Sequence, residues 1–219
     1  AEGEEVYTVK LTAIAEGTQT IAGKQFVFAD VDALLALDPN ADQLDALGIS
    51  SDNVRSFQKG DQSLNIGIGI AGDPEVLEAD MTDKALDYYL GVNVENTASQ
   101  TGTAKLQSNQ GLVLYVPTYF LQPQSGKNED FDCVNLTEDQ AVVEFESIKL
   151  QAPRTTSMSK CTGKIQSSLA PGERVNAFVK IKVTKDDLNE QTFSTFFVLA
   201  SLKYNYVNEQ LVPLTIQTI

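Results

Sequence analysis

The stretch from Arg174 to Ile219 constrains the fold more than any other part of the chain, because apolar and polar side chains alternate along it. Residues 174–184 are apolar at every second position, and residues 192–207 repeat this after a polar break. Asn208-Glu209 is a turn signal, and residues 211–219 alternate again. Successive side chains of a strand point to opposite faces, so the pattern predicts an antiparallel meander with one buried face.

Strand patterns recur along the rest of the chain. They cover residues 5–14, 18–22, 26–28, 63–70, 87–96, 111–120, 141–150 and 163–169. Together with the last third of the chain they predict about nine or ten strands. The polar residues 96–109 are expected to be an exposed loop or an edge hairpin, and residues 122–140 are expected to be a loop.

Two segments interrupt the strand pattern with helical spacing. Residues 30–47 contain two short helical pieces behind Asp caps, with Pro39 between them. Residues 74–90 begin with Pro74, which is favoured in the first turn of a helix, and form the second helical insertion. The predicted fold is an all-β antiparallel sandwich or jelly roll with two short helical insertions, in one domain spanning residues 1–219.

The strand at residues 63–70 has an unusual outer face. Its apolar residues alternate with Asn65, Gly67 and Gly69, so the two glycines leave that face nearly bare. Glycines inside a strand mark either the close approach of another strand, a subunit or a ligand, or a bulge or bend at a sandwich corner.

The charge of the chain limits its partners. The 219 residues include 16 Lys and Arg against 30 Asp and Glu, a formal net charge of −14. Nucleic-acid binding needs clustered basic residues, and an anionic membrane surface would repel this chain. No apolar run approaches the length of a membrane span. We therefore expect no nucleic-acid partner and no membrane insertion.

Catalysis has little support in the sequence. The chain has no His, the commonest general base and the usual partner of a nucleophilic Ser or Cys. Glu144 and Glu146 could act as paired carboxylates, but acidic pairs on a solvated face are common without any catalytic role. We expect a protein that is not an enzyme and that requires no cofactor.

Calcium is the candidate ligand, since hard cations bind several oxygen side chains at once. Two acidic segments have this composition. The first contains Asp38, Asn40, Asp42 and Asp45, and the second contains Asn128, Asp130 and Asp132. Helix capping and loop solvation are the alternative explanations, and the first segment lacks the Gly and Glu of an EF-hand loop.

If the protein is exported, three further residues become candidate modification sites. Cys133 and Cys161 could form a disulfide that closes a loop of about 29 residues. Asn135-Leu136-Thr137 is a glycosylation sequon at Asn135. The start at Ala1 fits either a cleaved signal peptide or removal of an initiator Met, and these two possibilities imply different compartments.

Assembly is the function that the whole profile favours. The chain is β-rich, acidic and free of His and Trp, and strands at both ends could be donated to the sheet edge of a neighbour. The leading hypothesis is a self-assembling, non-enzymatic subunit of an extracellular filament or surface assembly, with copies of itself as partners. The alternatives are a virion protein, either a single-jelly-roll capsid subunit or a decoration protein, and a calcium-assisted module that binds glycans or cell surfaces.

Overall fold

The computed structural model describes residues 4–31, 42–50, 56–60, 63–74, 76–79, 86–97, 102–106, 111–121, 130–148, 157–164, 168–188 and 191–217. Short helices α1 (Gln43–Ala46) and α2 (Glu138–Ser147) accompany the strands, with 3-10 turns at Thr118–Phe120 and Lys185–Leu188. The strands are β1 (Glu4–Ala29), β2 (Ser56–Gly60), β3 (Leu64–Ile70), β4 (Val76–Glu78), β5 (Leu86–Asn96), β6 (Gly102–Leu106), β7 (Leu112–Pro117), β8 (Phe131–Asn135), β9 (Met158–Gly163), β10 (Ser168–Leu169), β11 (Arg174–Val183) and β12 (Phe193–Gln217).

These strands form two sheets of very different size. The nine-stranded sheet runs in the order β10-β6-β12-β7-β9-β8, with β1 along the opposite edge of β12 and with β2 and β4 beside β1. The three-stranded sheet has the order β11-β5-β3. Neighbouring strands are antiparallel except for β1 and β4. The predicted all-β antiparallel sandwich with short helical insertions is therefore confirmed.

The main core lies between the two sheets, where the alternating strands bury their apolar faces. Every second residue of β3 is buried, and the same holds for β11 from Ala177 to Val183, as the sequence predicts. Large aromatic side chains fill the opposite wall; Phe28 and Phe196 lie 6.0 Å apart between ring centres and both contact Phe120. Burying such faces is the main favourable term in folding.

The helices cover the outer face of the large sheet. Phe145 and Ile148 at the end of α2 pack against Tyr115, and Leu44 of α1 packs in a separate cluster with Val27. The large sheet is thus buried on both faces over its central part, which explains why all six residues of β7 are buried.

The predicted meander at the end of the chain is wrong. β11 pairs with β5 in the small sheet, whereas β12 belongs to the large sheet. No turn occurs at Asn208-Glu209, because β12 continues through both residues in register with β1. The three short strands expected within residues 5–28 are likewise one strand, β1, with a single irregularity between Ala15 and Thr18.

The predicted strand at residues 141–150 is also wrong. Residues 138–147 form α2, which begins with a capping box in which Thr137 accepts from Gln140 N and Gln140 accepts from Thr137 N. Ala141 and Phe145 are buried at a spacing of four residues. The alternation of Val143 and Phe145 with Glu144 therefore reflects successive positions around a helix and not the two faces of a strand.

Two further predictions need correction. Residues 76–78 are a strand rather than part of the helix expected within residues 74–90, while residues 80–85 lie outside the described residues. The segment 122–140, expected to be a loop, contains β8 and the start of α2. The strand expected at residues 87–96 is confirmed as β5, and the segment expected to be a loop or an edge hairpin contains strand β6. The helical piece expected at 42–47 is confirmed as α1, while most of residues 30–41 is not described.

Candidate assembly surface

The pairing of β1 with β12 extends well beyond the other strands. The two strands are in register from Glu4 opposite Gln217 to Ala29 opposite Phe193. Among the described residues, their neighbours cover only one end of this ladder: β2 and β4 pair with β1 from Thr20 onward, and β6 and β7 pair with β12 no further than Asn208. Residues 4–12 and 209–217 therefore form a two-stranded ribbon, about 30 Å long at the usual rise per residue.

Over residues 7–11 and 210–212, one face of the ribbon carries described side chains that are uncharged and largely apolar. Tyr7, Val9 and Leu11 lie on this face at alternate positions, with exposed fractions of 48%, 39% and 54%. Gln210 and Val212 stand opposite Leu11 and Val9 and share the face with them. Three large apolar side chains thus remain exposed side by side, whereas the core strands bury such residues.

The opposite face of the ribbon carries two charged side chains among those that the structure describes. Lys10 Nζ and Glu209 Oε2 form an ion pair at 2.7 Å. Both side chains are about half exposed, so the pair contributes little to stability. The two charges cancel, so the pair adds no net charge to this face of a chain whose formal charge is −14.

A bulge marks the place where the ribbon leaves the rest of the sheet. The register shifts between Ala15 and Thr18, and Gly17 between them has a φ of 66°. The Gly17 N–H donates to Asn205 Oδ1 at 3.0 Å. This left-handed conformation suits glycine, and bulges of this kind increase the local twist of a strand pair.

The first predicted calcium segment lies partly outside the described residues, which do not include Asp38 and Asn40. Asp42 is the N-cap of α1: its Oδ1 accepts from Leu44 N at 3.0 Å and from Asp45 N at 3.1 Å. The Asp45 carboxyl belongs to the first turn of the same helix. Helix capping therefore accounts for Asp42.

The second predicted calcium segment has protein partners for two of its members, while Asn128 is not described. Asp130 Oδ2 accepts from the backbone N–H of Phe178 at 3.0 Å, at the open edge of β11. Asp132 forms an ion pair of 2.7 Å with Lys164. Within the part of the chain that the structure describes, no group of three or more acidic or Cys side chains could hold a metal. Calcium binding stays a prediction.

The two cysteines lie directly opposite each other on β8 and β9. Their sulfur atoms are bonded, which joins the edge strand of the large sheet to its neighbour. Asn135 ends β8 and is exposed, and its Oδ1 accepts from Ser159 Oγ at 2.8 Å. Glycosylation at Asn135 stays a prediction.

The pair of glutamates on α2 is separated by its helix. Glu146 is exposed, whereas Glu144 accepts from Tyr115 Oη at 2.9 Å and forms an ion pair with Lys160. Burial alone would raise the pKa of Glu144, but the hydrogen bonds from Lys160 and Tyr115 outweigh it and lower that pKa. Burial and the bond to Glu144 in turn raise the pKa of Tyr115. This arrangement ties α2 to the sheet, and the absence of enzymatic activity stays a prediction.

Sequence reasoning found the strands of the ribbon but missed its exposure. The alternation of Tyr7, Val9 and Leu11 predicts one face of a strand, and nothing in a local pattern says what covers such a face. The only available signal was the position of these residues in a strand at one end of the chain.

Comparisons with known proteins identify no relative. No protein-family model, no curated protein and no solved structure matches this chain. Among the described helices, none has the length and apolar character needed to cross a membrane.

Proposed function

We propose that this protein is a self-assembling structural subunit whose copies join through the ribbon formed by residues 4–12 and 209–217. The observation that carries the proposal is the extension of the β1–β12 ladder beyond the neighbouring strands. An isolated two-stranded ribbon is only marginally stable in water. A ribbon of this length is therefore expected to pack against another surface, which would stabilise it.

The edges of the ribbon support strand addition. No described strand pairs with the outer edge of β1 over residues 4–19, nor with that of β12 over residues 209–217. A sheet edge without a neighbouring strand is a place where a strand from another chain can add through backbone hydrogen bonds. A copy of this chain carries strands of matching length in the same ribbon.

The distribution of charge supports a second copy as the partner. With a formal charge of −14, two copies repel each other through most of their surface. The face of Tyr7, Val9 and Leu11 avoids this repulsion, because the side chains described on it carry no charge. Association would also remove these apolar side chains from water, which is favourable in proportion to the area buried.

The bond between Cys133 and Cys161 supports an oxidising location such as the cell exterior. An extracellular filament or surface assembly fits this compartment, and a virion shell is the alternative. The two differ in closure: a head-to-tail contact whose rotation does not close gives a filament, and one that closes gives a ring or shell.

Sedimentation velocity and electron microscopy of the purified protein test the proposal, both in millimolar calcium and in chelator. The wild type is expected to form filaments, tubes or shells, whose symmetry separates the filament from the capsid. Val9→Lys places a charge on the apolar face and should leave the protein monomeric. Thr8→Lys is the matched control, because it adds the same charge to the opposite face of the same strand and should still assemble.

Each result has a defined meaning. A wild type that stays monomeric in both solutions overturns the proposal, as does assembly of Val9→Lys that equals that of Thr8→Lys. Assembly that occurs only in calcium would support the prediction that the acidic segments around Asp42 and Asp130 bind calcium.

A further inference from the structure

The outer face of the small sheet contains a shallow trough of about 190 Å³, on the side away from the sandwich core. Its floor is formed by glycines on neighbouring strands, since Gly69 of β3 stands directly opposite Gly91 of β5. Gly67 is next along the same face of β3, opposite Asn93. Phe178 of β11 stands opposite Gly91 and closes the far side.

Among the described residues, no contact explains the two glycines of β3. Neither Gly67 nor Gly69 has a positive φ, and a Cβ at Gly69 would meet nothing within 4 Å. A Cβ at Gly67 would meet only Asn93 Cβ, at an ordinary 3.7 Å. Glycine in the middle of a strand destabilises by roughly 0.5–1 kcal/mol relative to alanine. No described contact offsets this loss of stability. The glycines therefore indicate that the space above the strand is kept open for another molecule.

Gly91 provides the contrast within the same trough. A Cβ at this position would lie 2.8 Å from the ring of Phe178, so a side chain here would displace that ring, and an internal contact favours glycine. The ring leans over Gly91 and remains 41% exposed. Phe178 therefore forms an apolar wall beside an open floor.

The remaining border of the trough is neutral and polar. Asn93 Nδ2 donates to Asn176 Oδ1 at 2.6 Å. Among the described contacts this leaves Oδ1 of Asn93 to accept and Nδ2 of Asn176 to donate. A hydroxyl group can both donate and accept, so the amide pair matches a hydroxylated ligand.

Charged side chains near the trough have protein partners, including Asp130, whose carboxylate accepts from the backbone N–H of Phe178. Lys180 forms an ion pair with Asp87, and Arg174 lies 3.8 Å from Glu95. The centre of the face, between these two pairs, contains glycines, two amides and one phenyl ring. This combination offers nothing specific to a phosphate, a carboxylate or a cation.

We propose that the trough binds a neutral saccharide, with the apolar C–H face of a sugar ring against Phe178 and its hydroxyls at Asn93 and Asn176. Small-molecule sites combine apolar walls with a few placed polar groups, as here. The volume is below that of ordinary ligand pockets, so one terminal ring is bound, with a dissociation constant in the millimolar range. The site lies outside the ribbon, and its test is independent of self-assembly.

Saturation-transfer difference NMR tests the proposal, because it detects weak ligands and works with large assemblies. The probes are lactose, maltotriose, cellotriose and N-acetylchitotriose, with N-acetylphenylalanine amide as a probe for a protein side chain. At least one saccharide is expected to show transfer to its ring C–H protons in the wild type. Gly69→Val fills the open space and Phe178→Ala removes the wall, and each should weaken binding about tenfold or more, equivalent to about 1.4 kcal/mol.

Asn65→Val is the matched control, since it introduces the same side chain on the same face of β3 but outside the trough. It should bind as the wild type does, and circular dichroism should show that all three variants are folded. Absence of transfer to every saccharide overturns the proposal, as does equal transfer in the wild type and Gly69→Val. Transfer to the phenylalanine amide alone would also overturn it, and would make a protein side chain the occupant.

Discussion

The side chain of Gln58 binds the backbone of Ile66 as a neighbouring strand would: Ile66 N donates to Gln58 Oε1 at 3.0 Å. Gln58 Nε2 donates to the backbone carbonyl of Leu64 at 2.8 Å. Gln58 lies on β2 of the large sheet and Ile66 on β3 of the small sheet, so one amide joins the two sheets at this edge. It also satisfies backbone groups of β3 that have no strand beside them in the described sheet.

Replacement of this amide should loosen the edge. Gln58→Ala is expected to lower the free energy of unfolding by about 1–2 kcal/mol, because two backbone groups of β3 lose their partners. Urea denaturation measures the change, and Ser56→Ala on the same strand serves as the control with an effect near zero. Equal stability of the two variants would show that water replaces the Gln58 amide without loss.

Glu144 should give the protein a measurable stabilisation that depends on pH. Its pKa lies below the ordinary value of 4.5, so the unfolded chain takes up the proton first as the pH falls. The stabilisation from Glu144 is therefore complete above about pH 4.5 and is lost as the pH falls through the lower, folded pKa.

The Glu144→Gln variant tests this directly. It is expected to be about 1 kcal/mol less stable than the wild type at pH 7, with the difference shrinking towards pH 3. Urea unfolding at a series of pH values measures it. Glu146→Gln is the control, because Glu146 is exposed on the same helix. A difference that is constant with pH would contradict the role given to the carboxylate.

The disulfide between β8 and β9 should contribute substantially to the free energy of unfolding. Replacing both Cys133 and Cys161 by Ala is expected to cost about 3–4 kcal/mol, the loop-entropy value for residues separated by 28 positions. Denaturant unfolding of the double variant measures the loss, and wild type in excess reductant should show nearly the same value. A stable, unchanged protein in both cases would mean that the paired strands β8 and β9 hold without the bond.

Local patterns predicted the faces of strands but not their partners. The alternation in β3 and β11 correctly separates buried from exposed residues, because one face of each strand meets the core. Strand neighbours depend on residues far away in the chain, as when β1 pairs with β12. Asn208-Glu209 has the composition of a turn, yet pairing with Thr12 and Ala13 keeps it extended.

Helix α2 shows where a start signal should outweigh an alternating pattern. Thr137 and Gln140 form a capping box, and Glu138 and Asp139 follow in the first turn. The sequence pattern assigns these four residues to the polar loop 122–140, whereas Val143 and Phe145 suggest a strand. The period of two came from only a few residues, which is too short to separate strand from helix.

The ribbon makes a prediction that does not depend on any substitution. In dilute monomeric protein, the amides on the outer edges of residues 4–12 and 209–217 have no strand beside them among the described residues, so they should exchange with solvent quickly. If copies join through these edges, the same amides become hydrogen-bonded and their exchange should slow by about a hundredfold or more, as expected for a stably paired strand.

Hydrogen–deuterium exchange with mass spectrometry compares the two states. Peptides covering β3, which lies in the sandwich away from the ribbon, provide the internal reference and should exchange equally in both. Protection of the ribbon without change in β3 places the contact between copies at the ribbon. Assembly with unprotected ribbon peptides would place that contact elsewhere and would leave the exposed face of Tyr7, Val9 and Leu11 without its proposed partner.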